Sequence, residues 1–386
     1  MAEDSLAWGE PIEWASMPQP AAKPPRPSGR PLRVGLVAGP SSLTNLGPVV
    51  RHLVVGLLDE PMHVSLVCRE DADVSSVPAP PVSLVRYGSV RLPVVGRRAV
   101  SELAGALAAS GVSVLHALDA DALPLTRRLA VAADLPYFLS VLSLADDVQG
   151  SDASCRSVLA ASRPIEQRLS DSRAAPSGRI RLLPPGVHRV RKATCFINAQ
   201  HAPALVAAGR LDRMEHFAAV LEAFARLRAR RRDCAFFVVG AGRCEGQLRV
   251  LAERLALMDV TTFVQPQDPE QLSGIVRAAD IFISPAPSER VEIELLAAMA
   301  AGDPVVAAGA EACDFIINGQ TALTYAPADA DDLAGRLTAL LDDRAWARRL
   351  AENALAHLRE HHSPARMAAT LAGLYREATG RRTSPE

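Results

Sequence analysis

The cationic side chains that could bind a phosphate are almost all of one type in this chain. Its 386 residues include 42 lysines and arginines, of which only Lys23 and Lys192 are lysines. Arginine presents a planar fork that suits phosphate and carboxylate groups, whereas a lysine ammonium is a compact point charge. Any chemistry that requires a lysine therefore has two candidates, and neither lies beyond residue 192.

The cysteines and histidines lack the spacing of a metal site. The six cysteines form no C-x-x-C pair, and the nine histidines include no H-E-x-x-H. The adjacent residues His361 and His362 are typical of a solvated helix end. No G-x-G-x-x-G follows the first apolar run, and GAGRCEG (240–246) lies in the second half. We therefore expect neither a bound metal nor a dinucleotide-dependent dehydrogenase.

Composition excludes several other classes of protein. The net charge is -1, with 49% hydrophobic and 22% charged residues, which is typical of a globular chain and gives no electrostatic argument for nucleic acid. The arginine excess indicates a GC-rich genome, and we expect a bacterial protein. No apolar run approaches ~18 residues, so no transmembrane segment is expected. We expect a cytoplasmic location; the mildly basic segment 86–100 leaves peripheral contact with the inner face of the membrane open.

The N-terminal segment is predicted to be a disordered tail over residues 1–31. It holds a dense Pro/Ala stretch from Pro18 to Pro31, which cannot bury a core. Trp8 and Trp14, two of the three tryptophans, lie in this tail. They are either incidental or part of a short motif that docks on a protein partner.

From Leu32 onward, short apolar runs alternate with amphipathic stretches, which predicts parallel sheets covered by helices. The first helix is expected over about 46–59, and the last three near 329–342, 344–361 and 364–379. The alternation stops over 187–203 and then restarts. We predict an α/β fold class with two tandem doubly wound Rossmann-like domains, residues 32–190 and 191–364. A C-terminal helix and tail (365–386) would pack back on the first domain. Ligands of such sheets bind at the carboxyl ends of the strands, which predicts an interdomain cleft.

Several motifs occur in a characteristic order. In the first half they are VLHALD (114–119), AAS (160–162) and LLPPGVH (182–188), and in the second half GRL (209–211), GAG (240–242), ADIFISPAPSE (279–289), AAMAAGDPVVAAG (297–309) and FIINGQTALTYAP (315–327). With these motifs, residues 32–380 resemble the glycosyltransferases of family 4, which have the GT-B fold. The resemblance rests on order and spacing rather than on any single motif.

The resemblance implies a retaining hexosyltransferase that needs no metal ion or other cofactor. The donor, a nucleotide-diphosphate sugar, would bind mainly to the second domain, and a glycan or lipid acceptor would bind to the first. Arg210 would meet the phosphates, together with backbone amides around Gly242 and Gly47. Glu289 would contact the donor sugar and is the candidate catalytic residue. Helix N-termini and basic side chains would meet the charge of the leaving group.

The chain departs from the family pattern at most other polar positions. The phosphate-binding lysine is replaced by Glu215, and the second glutamate of the donor site by Ala297. The histidine of the first domain falls on Leu142, and the second glycine after the first strand falls on Pro48. For Glu215 we favour an exposed position in the first turn of a helix, where an acidic residue is favourable.

An acidic pair lies where the family has backbone amides that touch phosphate. Glu292 replaces a glycine at a helix N-terminus, and Glu294 follows two residues later. We interpret the pair as a solvated helix face. The sequence thus leaves two hypotheses open: a working glycosyltransferase with divergent donor contacts, or a catalytically inactive pseudoglycosyltransferase that serves as a scaffold or accessory subunit of a glycosylation complex.

Overall fold

The computed structural model describes residues 31–75, 77, 82–88, 93–148, 152–172, 177–189, 196, 202–230, 234–266 and 269–380. Residues 1–30, with Trp8 and Trp14, lie outside the described residues, as does most of the segment 187–203. The disorder of the tail and its docking on a partner therefore stay predictions.

The first half forms a seven-stranded parallel sheet in the order β3-β2-β1-β4-β5-β6-β7. Its elements are β1 (Leu32–Val37), α1 (Ser42–Asp59), β2 (Met62–Arg69), β3 (Ser83–Tyr87), α2 (Pro93–Ala109), β4 (Val114–Ala117), α3 (Leu123–Ala133), β5 (Tyr137–Val141), β6 (Cys155–Ala160), α4 (Arg163–Asp171) and β7 (Ile180–Leu182). The central strands β1, β4 and β5 are buried apolar runs, as a parallel sheet covered on both faces requires, whereas the edge strands β3 and β7 are partly exposed.

The second half forms a six-stranded parallel sheet in the order β10-β9-β8-β11-β12-β13. Its elements are β8 (Ala204–Ala208), α5 (Met214–Arg230), β9 (Ala235–Val239), α6 (Glu245–Arg254), β10 (Thr261–Val264), α7 (Pro269–Ala278), β11 (Ile281–Ser284), α8 (Ile293–Ala301), β12 (Val305–Ala307), β13 (Leu323–Thr324), α9 (Ala330–Asp342), α10 (Arg344–His361) and α11 (Pro364–Ala378). The predicted α/β class with doubly wound parallel sheets is confirmed.

The strand order of each sheet reverses at one point, and this point predicts where a ligand binds. In the first sheet the reversal lies between β1 and β4, and in the second it lies between β8 and β11. The loops that follow these strands diverge to opposite faces of the sheet, which leaves a crevice at the carboxyl ends. We call these two positions the first and second switch points.

Alternate residues of β8 point into two different apolar cores. Leu205 and Ala207 pack with one core, whereas Val206 and Ala208 belong to a core that also contains the first sheet. Residues Pro31–Glu386 accordingly form one compact unit. The predicted domain boundaries at residues 190 and 364 stay predictions.

The last helix, α11, packs against α1 of the first half. Its Tyr375 hydroxyl is hydrogen-bonded to His116 Nδ1 at 2.6 Å, and His116 Nε2 lies 2.9 Å from Ser140 Oγ. Burial lowers the pKa of His116 to about 3, so the ring is neutral. His116 therefore has a structural role, with both ring nitrogens engaged.

The junction of α10 and α11 corrects one expectation. His361 is exposed as predicted, but His362 is buried, and its Nδ1 lies 2.9 Å from the carbonyl oxygen of Pro185. Val187 N–H also donates to the His362 carbonyl at 3.0 Å. The chain crosses back to the first half here, so tertiary packing covers a residue that the local pattern placed in solvent.

Candidate functional site

The first switch point is filled by hydrogen bonds between the loops after β1 and β4. Ser42 Oγ donates to Asp119 Oδ2 and Ser41 Oγ donates to Asp121 Oδ2, both at 2.6 Å. The close approach of the two loops requires a glycine at Gly39, because a Cβ at this position would lie 2.6 Å from Asp121 Cβ. Burial raises the pKa of Asp119, which its hydrogen bond from Ser42 partly offsets.

Gly47 does not belong to a loop. Helix α1 begins at Ser42, so Gly47 lies within it and is buried. The apolar residues Leu43, Leu46 and Val50 recur at helical spacing and are buried, which explains the early helix start. Gly47 is therefore part of a helix, and its contact with a donor stays a prediction.

Beside the second switch point, the loops after β8 and β9 pack backbone against backbone. Leu211 N–H donates to the Ala241 carbonyl at 3.0 Å, and Cys244 N–H donates to the Leu211 carbonyl at 2.9 Å. A Cβ on Gly242 would overlap the backbone of Leu211. Close packing of the two loops thus explains Gly242, while its predicted contact with a ligand stays a prediction.

Arg210 follows β8 and is directed to solvent, with 87% of its side chain exposed. Its guanidinium is held by Asp212, with Nε 2.7 Å from Oδ2. The hydrogen bond from Arg210 lowers the pKa of Asp212, so this carboxylate is charged at neutral pH. The positive charge of Arg210 is therefore already partly compensated.

Glu215 lies in the first turn of α5, as predicted, and is exposed. Its own backbone N–H, followed by a hydrogen bond from Arg213, lowers the pKa of its carboxyl group. Arg213 Nη1 lies 3.3 Å from Glu215 Oε1. Arg213 therefore compensates Glu215 locally.

Glu289 lies in the segment between β11 and α8, which pairs with the loop after β5. Leu144 N–H donates to the Glu289 carbonyl at 2.7 Å, and Val291 N–H donates to the Leu142 carbonyl at 2.8 Å. Ser143 Oγ also donates to the Glu289 carbonyl at 3.2 Å. This pairing brings two sequence-predicted positions of the site, Glu289 and Leu142, together from opposite halves of the chain.

The interpretation of Glu292 and Glu294 as a solvated helix face is wrong. Both are only partly exposed, because α8 is embedded in the apolar core between buried Val291, Ile293 and Leu295. Burial, and secondly the charge of Glu294, raises the pKa of Glu292 to about 7. The Glu292 carboxylate accepts a hydrogen bond from Ser284 Oγ at 2.9 Å. Burial likewise raises the pKa of Glu294.

Sequence reasoning missed Arg290 and Asp146. Burial raises the pKa of Asp146, Glu292 and Glu294, and the exposed Arg290 lies close enough to offset part of this rise in each. Asp146 also accepts hydrogen bonds from the backbone N–H groups of the loop after β5. The pair Asp146-Asp147, which follows β5, was the feature of the sequence that could have indicated a polar site here. One arginine thus faces three carboxyl groups at the junction of the two sheets.

The described residues do not meet the requirements of a metal site or of a membrane-spanning helix. Within these ranges, no three His, Cys, Asp or Glu side chains are grouped so that they could hold a metal ion. Every described helix is too short or too polar to cross a bilayer.

Curated relatives match only parts of the chain. The alpha-D-kanosaminyltransferase of Streptomyces kanamyceticus is 28% identical over 176 residues, which is 45% of this chain and 46% of that protein. The D-inositol 3-phosphate glycosyltransferase of Corynebacterium kroppenstedtii is 30% identical over 186 residues, covering 46% of this chain and 41% of that protein. The chain thus spans less than half the length of these relatives.

Solved glycosyltransferase structures match nearly the whole chain at low identity. A glycosyltransferase from Rickettsia africae has a TM-score of 0.70 at 16% identity, covering 92% of this chain and all of that chain. Sucrose-phosphate synthase from Thermosynechococcus elongatus has a TM-score of 0.68 at 19% identity, covering 91% of this chain and all of that chain. Anabaena HepE in complex with UDP has a TM-score of 0.67 at 16% identity, covering 88% of this chain and 98% of that chain. These similarities establish the fold.

The family model "Glycosyl transferases group 1" matches residues 198–357, which include the whole second switch point. The two parallel sheets and the structural neighbours agree with this match. Residues 198–357 therefore resemble a glycosyltransferase group 1 domain, and the chain has a fold of the GT-B type.

Proposed function

We propose that the chain transfers a sugar, with retention of configuration, from a nucleotide-diphosphate sugar to a glycan or lipid acceptor. The observation that carries the proposal is the backbone pairing of the Glu289 segment with the loop after β5. It brings the second switch point, where the donor would bind, against a loop of the first sheet, where the acceptor would bind. Reaction of two substrates requires such an approach of their sites.

In this proposal Glu289 contacts the donor sugar, and Arg210 contacts the diphosphate together with backbone amides around Gly242 and Gly47. No metal ion or other cofactor takes part. Anabaena HepE was crystallised with UDP and with UDP-glucose, so UDP-glucose is the first donor to test. The N-terminus of α8 would stabilise the charge of the departing diphosphate.

The charges around the N-terminus of α8 and at Arg210 favour a second function, that of an accessory subunit without transferase activity. Glu292 occupies the N-cap position of α8 and carries a half-buried carboxyl group. When ionised, it would repel a diphosphate at the same helix end. Arg210 is held by Asp212, and the sequence has no lysine beyond residue 192. Under this proposal a protein partner would bind through the segment that holds Trp8 and Trp14.

A thermal-shift screen against UDP-, GDP- and ADP-sugars separates the two functions. A donor at one hundred times its Kd stabilises the native state by about 2.7 kcal/mol. We expect one donor to raise the melting temperature, and we expect Arg210→Ala to reduce this shift. Arg213→Ala is the matched control, because Arg213 is also exposed and paired with a nearby carboxylate.

Product analysis with the donor identified by the screen completes the experiment. Formation of a glycoside with retained configuration supports transfer, and release of free sugar supports donor activation. Specific binding without either product contradicts the transferase and supports the accessory subunit. A screen without any binding contradicts donor use altogether.

A further inference from the structure

A groove between α2 and α3 lies outside the candidate site and has the charge of an anion-binding pocket. Its volume is about 570 Å³, within the roughly 300–1,000 Å³ of small-molecule sites. Three arginines line it, Arg97, Arg127 and Arg128, together with a single carboxylate, Asp152. We call this feature the arginine groove.

The positive charge of the arginine groove is largely uncompensated. Arg127 Nε lies 3.6 Å from Asp152 Oδ2, too far for a strong hydrogen bond. Over the described ranges, no ion pair joins Arg97 or Arg128 to a carboxylate. In contrast, the adjacent Arg98 is paired with Glu102 at 2.9 Å. Three guanidinium groups against one carboxylate leave an excess of two positive charges.

The remaining walls of the groove are apolar. Val100, Pro124, Val131 and Ala132 complete the lining. Val131 is 74% exposed, the largest value among the exposed large hydrophobic residues of the described chain. Apolar walls beside cationic ones suit a ligand that has an apolar part as well as a charge.

The strand order determines on which face of the first sheet the arginine groove lies. The strand order reverses at β1, so right-handed crossovers put α1 on one face of the first sheet and both α2 and α3 on the other. Helix α1 contacts α7 and α8 of the second half. The arginine groove therefore lies on the sheet face opposite to this contact.

We infer that the arginine groove binds a free phosphate monoester with an apolar substituent. A phosphate monoester carries about −1.5 to −2 charges at pH 7, which matches the excess of two positive charges. Guanidinium forks match phosphate oxygens in geometry. The apolar substituent would cover Val131. This inference does not depend on the proposed transferase function.

The test is calorimetric titration of the full-length protein with n-octyl phosphate. We expect saturable binding, weakened at least about tenfold by Arg97→Glu or by Arg128→Glu, because each change replaces attraction by repulsion. Arg98→Glu is the matched control: it makes the same change of net charge on the next residue, where the side chain is 85% exposed and does not line the groove. The control should bind like the wild type.

Two further measurements test whether the ligand needs an apolar part and whether it is a free phosphate monoester or a lipid headgroup. Val131→Asp should weaken binding of n-octyl phosphate, whereas Val250→Asp, at another exposed valine outside the groove, should not. Inorganic phosphate should bind more weakly than n-octyl phosphate. Equal affinity for the two, or equal loss in Arg98→Glu, would overturn the inference. Binding to phosphatidylglycerol vesicles without binding of n-octyl phosphate would also overturn it, in favour of a membrane surface.

Discussion

Replacement of Glu292 by glutamine should stabilise the protein at high pH. In the folded state, burial and the neighbouring charge of Glu294 raise the pKa of Glu292 from 4.5 to about 7. At ~1.4 kcal/mol for each pH unit, ionisation of the folded form costs about 3 kcal/mol. Glutamine is uncharged and keeps a carbonyl oxygen for the hydrogen bond from Ser284.

The sign follows from proton binding. Because the folded pKa of Glu292 is raised, the folded state holds the proton more tightly than the unfolded state. Its stabilising effect is complete below pH 4.5 and is lost as the pH rises to about 7. The free energy of unfolding of the wild type should therefore decrease relative to that of Glu292→Gln as the pH rises. The difference between the two proteins should be about 2.5 kcal/mol larger at about pH 8 than at about pH 5.

Urea unfolding of both proteins at the two pH values measures this gap. Glu289→Gln is the matched control, since it removes an exposed carboxyl group three residues away. The control should change the free energy of unfolding by less than about 0.5 kcal/mol at either pH. A gap for Glu292→Gln that is the same at both pH values would refute the argument that burial controls this carboxyl group.

Three further changes test the packing around the site by urea unfolding. Gly240→Ala should cost more than about 2 kcal/mol, because Gly240 has a φ of 143° and its Cβ would overlap the neighbouring loop, whereas Gly246→Ala, with open space around it, should not destabilise. An equal effect of both would contradict this reasoning. Tyr375→Phe should cost about 1–3 kcal/mol by leaving His116 Nδ1 without its partner, and an unchanged stability would mean that this bond contributes nothing. Arg290→Ala should destabilise more at pH 8 than at pH 5, because it removes the cation that lowers the pKa of the buried carboxyl groups; a loss independent of pH would contradict this.

Regular elements could be predicted well because their signal is local. The last three helices were expected at 329–342, 344–361 and 364–379, and they lie within one residue of these limits. Their apolar residues recur with the helical period, and side chains that bond backbone N–H groups mark each start. The first helix was expected only from residue 46 but begins at Ser42, because buried Leu43 extends the helical period toward the N-terminus.

The candidate site was predictable in its positions but not in its electrostatics. The motifs located Glu289 and Arg210 after strands at the second switch point. They gave no information on the pairing of the Glu289 segment with the loop after β5, because its partners are nearly 150 residues apart in the chain. Asp146 and Arg290 were missed for the same reason.

By itself, the sequence determined the alternation of strands and helices, the class of fold and the lack of a lysine beyond residue 192. Tertiary structure alone decided which polar residues lose water. Glu292 and His362 were both expected in solvent, yet His362 lies against Pro185, and the residue before Glu292 pairs with Leu142, far away in the chain. Periodicity depends on the local backbone, whereas desolvation depends on what packs against a side chain. The charge of this site is therefore a property of the fold.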